Sequence, residues 1–217
     1  MSLTNYLSKF KIIFWDFDGV IKESVEVKTK AFQKLFQFSG KEVVEKVTEH
    51  HLNNGGMSRL QKIPIYLTYA GVEISPATEL LYCNKFGKLV EDTVVNADWV
   101  PGAEEIIKQK KNLAQLQILV SATPQDEIER ILNRISIFPY FSNIFGAPMS
   151  KSEAIITCLD IHRIPPKETI MIGDSKADYE ASQNCGTNFI LRRTPENVSL
   201  MNDYSGDSIN NFLHNGQ

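Results

Sequence analysis

Lys11-Ile12-Ile13-Phe14-Trp15-Asp16-Phe17-Asp18-Gly19 is the stretch on which the fold turns. A short apolar run stops at two aspartates and a glycine, which is the pattern of a buried strand running out into a loop. The pattern recurs downstream. Leu116 to Val120 leads into Ser121-Ala122-Thr123-Pro124, and Thr169 to Ile172 leads into Gly173-Asp174-Ser175, each followed by apolar residues at helical spacing. A weaker run, Asn143-Ile144-Phe145, precedes Gly146, and Asn188 to Leu191 supplies a further strand.

Between these runs the apolar residues repeat with the period of a helix. Ile128, Ile131, Leu132 and Ile135 follow Thr123-Pro124, read as an N-cap and first helical residue. Ser150-Lys151-Ser152-Glu153 has capping-box spacing before Ala154, Ile155, Cys158 and Leu159, and Gly186 is placed to end the helix after Ser175. Strands alternating with helices of this length predict an α/β fold, a Rossmann-like parallel sheet with helices on both faces. Residues 21–96 differ, with helical patterns throughout and no strand. They predict an inserted all-helical cap domain, leaving residues 1–20 and 97–217 as the α/β core. Asp98-Trp99-Val100-Pro101-Gly102 marks the return to the core. Pro64 lies inside the third of these helices and predicts a kink or a late start. Roughly 75 helical residues make a marginal core alone, so the insertion should lean on the α/β part. The last residues, His214 to Gln217, are expected to fray.

The chain has 217 residues, 23 Lys and Arg against 26 Asp and Glu, and a net charge of −3. No basic excess or stripe marks it for nucleic acid. The hydrophobic fraction of 42% suffices for a real core, and no run of about 18 uncharged apolar residues or leader-like segment marks it for a membrane. Cys83, Cys158 and Cys185 are too scattered for a zinc site or redox dithiol and read as buried thiols. A cytoplasmic protein is expected.

In an open parallel sheet, ligands bind at the carboxyl ends of the strands. At those ends stand Asp16 and Asp18, then Ser121, then Lys151 at the head of a helix, then Asp174 with Asp178 one helical turn further on. Taken singly, each has an ordinary explanation as a turn residue, a loop hydroxyl, a solvated lysine or a helix entrance. Taken in this order, they resemble the motifs of the haloacid dehalogenase-like hydrolase superfamily. The resemblance is to its phosphatase branch with a helical cap after the first motif, of the phosphoglycolate phosphatase and β-phosphoglucomutase type. Asp16-Phe17-Asp18-Gly19-Val20 is similar to the first motif and Gly173-Asp174-Ser175-Lys176-Ala177-Asp178 to the fourth, both specific. Val120-Ser121-Ala122-Thr123-Pro124 and Lys151 are recognisable as the second and third only by their placement between them.

The resemblance implies a Mg²⁺-dependent phosphomonoesterase for a small phosphorylated metabolite, a sugar phosphate being one candidate. Asp16 is then the nucleophile and Asp18 the general acid and base. Ser121 and the Ala122 N–H bind the phosphoryl group, with Lys151 neutralising its charge. Asp16, Asp174 and the Asp18 backbone carbonyl hold the metal, and Asp178 orients Lys151 or a metal-bound water. The charges agree with a cation: carboxylates within about 4 Å repel by roughly 4 kcal/mol per pair at an effective dielectric of about 20, and Mg²⁺ favours such oxygen ligands. A phosphosugar mutase shares these residues and is the enzymatic alternative. A non-catalytic phospho-acceptor of the response-regulator kind fits less well, since its acceptor aspartate lies on a middle strand.

Within the insertion, Gly55-Gly56-Met57-Ser58-Arg59 is similar to the specificity loop of capped relatives, with Gly56, Ser58 and Arg59 as substrate-recognising residues. The same residues also read as a loop ending in an N-cap at Ser58, with Arg59 on the first turn. His50-His51 reads as an exposed helix end and Arg192-Arg193 as a solvated pair.

Overall fold

The structure is a computed structural model describing residues 2–110 and 115–213. The tail expected to fray, His214 to Gln217, lies outside the described residues. Six strands form one sheet in the order β3-β2-β1-β4-β5-β6: β1 (Ile12–Trp15), β2 (Leu116–Pro124), β3 (Asn143–Ala147), β4 (Thr169–Gly173), β5 (Asn188–Arg192) and β6 (Ser208–Ile209). Neighbours are parallel throughout, and β1 lies between β2 and β4 with Ile12 beside Leu116 and Thr169. From β1 the chain winds outward to β2 and β3, then crosses back to β4 on the other side, so the switch in winding direction falls at β1.

Alternation along the strands divides the core. Ile13, Trp15, Leu119, Ile170 and Ile172 enter one buried cluster, and Ile12, Phe14, Ile118, Val120 and Met171 the other. The first is covered by α1 (Leu3–Leu7), α6 (Ala103–Lys110) and α7 (Gln125–Arg134), through Leu7, Ile106, Ile107, Ile128 and Ile131. The second is covered by α8 (Lys151–His162) and α9 (Lys176–Cys185), through Ala154, Ile155, Cys158 and Ala181. A short α10 (Val198–Asp203) follows β5. Both faces are covered, as an apolar parallel sheet requires.

Between β1 and α6 lie four helices: α2 (Val25–Phe36), α3 (Lys41–Asn53), α4 (Arg59–Tyr69) and α5 (Pro76–Asn96). Aromatic rings join them, Phe32 lying 4.1 Å from Phe86 and 5.1 Å from Tyr66 between centroids. Their buried residues belong to the same cluster as Ile128 and Ile131 of α7, so the insertion does lean on the α/β part. The chain enters and leaves through paired backbone: Glu23 N–H donates to Asp98 O at 2.9 Å and Val100 N–H to Ile21 O at 3.0 Å.

Several expectations are corrected. Strand β2 runs on through Pro124, and α7 starts at Gln125 with no side-chain cap. The Thr123 hydroxyl is engaged elsewhere, accepting from Lys28 Nζ at 2.9 Å. Pro64 does not delay α4, which begins at Arg59 because Ser58 caps it, accepting from Leu60 N–H at 3.3 Å. Arg192 is buried, its guanidinium bidentate on Glu23 and its Nε donating to Asn210 O; only Arg193 of that pair is exposed. The capping box at Ser150 and Glu153 forms as read, and Gly186 ends α9. All three cysteines are free and buried. No helix among the described residues is long and apolar enough to cross a membrane.

Candidate active site

Asp16 stands one residue beyond β1, its N–H donating to Ile172 O of β4 at 3.0 Å. Asp174 stands one residue beyond β4, and Asp178 is the third residue of α9, whose capping box it forms with Ser175. The strand pairing therefore brings together carboxylates 158 residues apart in sequence. One oxygen from each of Asp16, Asp174 and Asp178 lies within 4.8 Å of the others, and all three residues are buried.

Lys151, the first residue of α8, is the cation placed among them. Its Nζ donates to Asp16 Oδ1 at 2.9 Å and forms a second, shorter ion pair with Asp178 Oδ1. Burial alone would lower the Lys151 pKa, but Asp16 and Asp178 outweigh it and hold the ammonium above its usual range. Burial pushes Asp16 up to about 7, with Asp178 adding to the rise and Lys151 opposing it. Burial likewise raises Asp174 well above the carboxylate range, reinforced by Asp16 and Asp178. Three carboxylates against one ammonium leave an excess of negative charge out of water, the condition in which a bound cation is favoured.

The donor set fits a hard cation. Asp178 is already committed, with Oδ1 on Lys151 and Oδ2 accepting from Ser175 N–H at 3.1 Å and Ser175 Oγ at 2.5 Å. Asp16 Oδ2 and the Asp174 carboxylate have no side-chain partner among the described residues, so these are the oxygens left to ligate a metal. Gly19, at φ +75°, keeps the space beside Asp174 open: a Cβ there would collide with the Asp174 carboxylate.

The Asp18 carboxylate is not part of this cluster. It accepts from Ser24 Oγ at 2.6 Å and forms an ion pair with Lys28 of α2. Asp16, Asp18, Ala122 and Asp174 all line a cavity of about 450 Å³ that extends under α2, α3 and α4. Ser121 is more deeply buried, its Oγ accepting from Thr123 N–H at 3.1 Å.

Of the insertion residues, Gly56 and Arg59 line the same cavity. Gly56, at φ +79°, sits so close to α9 that a Cβ would fall 2.5 Å from Ser175 Oγ and 2.9 Å from Ala177 Cβ. Ser58 is an N-cap. The Arg59 guanidinium is bidentate on Glu127 of α7, Nη1 to Oε1 at 3.0 Å and Nη2 to Oε2 at 2.6 Å, both side chains nearly buried. His51 is buried instead of being an exposed helix end, its Nδ1 lying 2.9 Å from Lys62 Nζ. Lys28, Lys62, His51 and Glu127 join the site without having stood out in the sequence as members of it. Lys28 had a signal, since it follows at i+4 from Ser24, the N-cap residue of α2 six residues after Asp18.

The sequence matches the family described as haloacid dehalogenase-like hydrolase over residues 12–192. Among curated proteins it is similar to a phosphoglycolate phosphatase of Vibrio cholerae, 22% identical over 83% of each chain. It is similar also to a phosphoglycolate phosphatase of Pseudomonas savastanoi, 22% identical over 81% of this chain and 66% of the relative, so the match spans just under two thirds of that protein. Among solved structures it is similar to a β-phosphoglucomutase from Clostridium difficile, with TM-score 0.74 and 20% identity over 94% of this chain and 92% of that one. A predicted phosphoglycolate phosphatase from Haemophilus somnus superposes with TM-score 0.73 at 16% identity, covering 94% and 95%.

Proposed function

The chain belongs to the haloacid dehalogenase-like hydrolase family, and from that premise we propose that it is a Mg²⁺-dependent phosphomonoesterase acting on a small phosphorylated metabolite through an aspartyl phosphate. The observation that carries this reading is the convergence of Asp16, Asp174 and Lys151 beside a cavity of small-metabolite size. The curated phosphoglycolate phosphatases support the same class of reaction.

Asp16, its carboxylate steadied by Lys151 at Oδ1, attacks phosphorus in line. The Asp16 O–P bond forms as the bond from phosphorus to the leaving alcohol breaks. Asp18 gives a proton to the departing alkoxide and later takes one from the water that splits the aspartyl phosphate. That second step releases inorganic phosphate and restores the Asp16 carboxylate. Ser24 and Lys28 fix the Asp18 rotamer through its two oxygens. Ser121 and the Ala122 N–H bind phosphoryl oxygens, and Lys151, positioned by Asp178, offsets their charge. Mg²⁺, held by Asp16, Asp174 and the Asp18 backbone carbonyl, would supply further neutralisation of the phosphoryl oxygens. Residues 21–96 form the cap over the core of residues 1–20 and 97–217, with Gly56, Ser58 and Arg59 on its substrate-facing loop. Because Glu127 occupies Arg59, recognition of an anion by Arg59 requires exchange of that partner.

The test is phosphate release from a panel of phosphorylated metabolites with and without Mg²⁺. Turnover that needs the metal supports the reading, and no turnover of any ester by folded, Mg²⁺-supplied protein sinks it. A phosphosugar mutase would use the same residues to return phosphate to a second hydroxyl, and product analysis in that assay separates the two outcomes.

A further inference from the structure

Among the described residues no side chain holds the Asp174 carboxylate, so its aim into the site is set by its backbone. Asp174 stands one residue past β4, where the register of β4 and β5 has ended with Gly173 beside Leu191. The planar peptide that joins Asp174 to Ser175 is nonetheless held at both of its polar groups. Its N–H donates to Asp178 Oδ2 at 3.1 Å. Its C=O accepts at 2.7 Å from Nδ2 of Asn197, a residue the mechanism above does not use.

Asn197 is itself fixed. Its Nδ2 gives a second hydrogen to Arg192 O at 2.8 Å, and its Oδ1 accepts from Thr194 N–H at 2.9 Å. Both hydrogens of one carboxamide are therefore spent across the ends of β4 and β5. The end of β5 is a firm anchor: the Arg192 guanidinium is bidentate on Glu23 with its Nε on Asn210 O, and Arg193 N–H donates to Ile209 O at 2.8 Å. A capping turn needs only the bond from Thr194, and the two bonds to carbonyls go beyond it.

Resting on the reading of Asp174 as a metal ligand, we infer that Asn197 is a positioning residue for the metal site: by clamping the Asp174–Ser175 peptide to the end of β5, it sets the direction in which the Asp174 carboxylate meets Mg²⁺. Asp178 holds the N–H edge of the same peptide and Asn197 the C=O edge, so together they fix its plane. A carboxamide suits this place because it donates twice without carrying charge. A lysine or arginine would bring a positive charge beside the carboxylates that are to gather a cation. Asn197 acts only through Asp174 and touches none of the reacting atoms.

The experiment measures Mg²⁺ binding directly, by isothermal titration calorimetry on the full chain freed of metal, for the wild type, Asn197→Ala, Asn197→Leu and Asp174→Asn, with folding checked by circular dichroism. Asn197→Ala is expected to weaken Mg²⁺ binding about tenfold, the low end of the range for partners that hold metal ligands, because it acts through the backbone. Asn197→Leu keeps the side-chain volume without its donors, so a similar loss is expected there, and it carries the test if the alanine variant folds poorly. In both, the Mg²⁺ concentration that half-activates phosphate release should rise by the same factor, so that the loss of turnover shrinks as Mg²⁺ is raised. Lost stability alone would not move that constant in folded protein. Wild-type Mg²⁺ affinity in a folded Asn197 variant, with binding weakened in Asp174→Asn, would overturn this inference and leave the metal reading standing. Unchanged Mg²⁺ binding in Asp174→Asn would overturn the metal reading, and this inference with it.

Discussion

At the scale of single residues, the site is a set of charges whose local balance fails when each is taken alone. Asp16 and Asp174 are both raised by burial, and Lys151 compensates only part of the excess. Lys62 is the reverse case, a cation held where the fold prefers the neutral amine. Its pKa is about 7 in the folded chain and 10.5 ordinarily. Between those values the unfolded chain binds more protons, so the penalty is full below pH 7 and fades as the pH rises toward 10.5. Lys62→Met is therefore expected to raise stability in denaturant unfolding near pH 7, by about 1–4 kcal/mol as buried charges replaced by apolar groups do. The gain should shrink with rising pH, and a gain of the same size at pH 7 and pH 10 would contradict the assigned shift. The strand-end residues Asp16, Asp18, Lys151 and Asp174 were legible in the sequence because each adjoins its own apolar run or helix cap. Lys62 was not, since its burial depends on Phe32 and His51 from two other helices.

At the scale of elements, the sheet was legible and the seams between helices were not. Strands β1, β2 and β4 announce themselves because a strand buried on both faces must be apolar throughout. Helix α7 starts one residue late because Thr123 serves Lys28 instead of capping, a contact spanning 95 positions that no local pattern encodes. Helices α1, α6 and α10 and the two-residue β6 left no legible pattern, being short elements with little room for a periodic signal. The Arg59–Glu127 pair joins α4 to α7 across 68 residues and is nearly buried on both sides. Removing one partner of such a pair strands the other, so Glu127→Gln is expected to cost about 3 kcal/mol in denaturant unfolding. The double variant Arg59→Met, Glu127→Leu should lose clearly less than the sum of its single changes. Additive losses in that cycle would mean that the pair does not tie the two helices together.

At the scale of the whole molecule, a net charge of −3 coexists with a site proposed to gather an anionic ester. The two are reconciled by how the fold distributes charge. The sheet concentrates three carboxylates and Lys151 at the ends of β1 and β4, and the inserted helices bring Lys28, Arg59 and Lys62 to the other walls of one cavity. Family membership follows from the match over residues 12–192, and the proposed chemistry depends on that joint construction. Central to that chemistry is Asp16 as the group that takes the phosphoryl unit. The decisive measurement is phosphate release by Asp16→Asn beside the wild type, on an ester the wild type hydrolyses, in saturating Mg²⁺ and with folding of both checked by circular dichroism. Mg²⁺-dependent release is expected from the wild type, with a loss of at least about a thousandfold in the variant, in the range seen when a catalytic nucleophile is removed. An Asp16→Asn protein that folds and still turns the ester over at a rate near the wild type's would contradict the assignment of Asp16 as nucleophile.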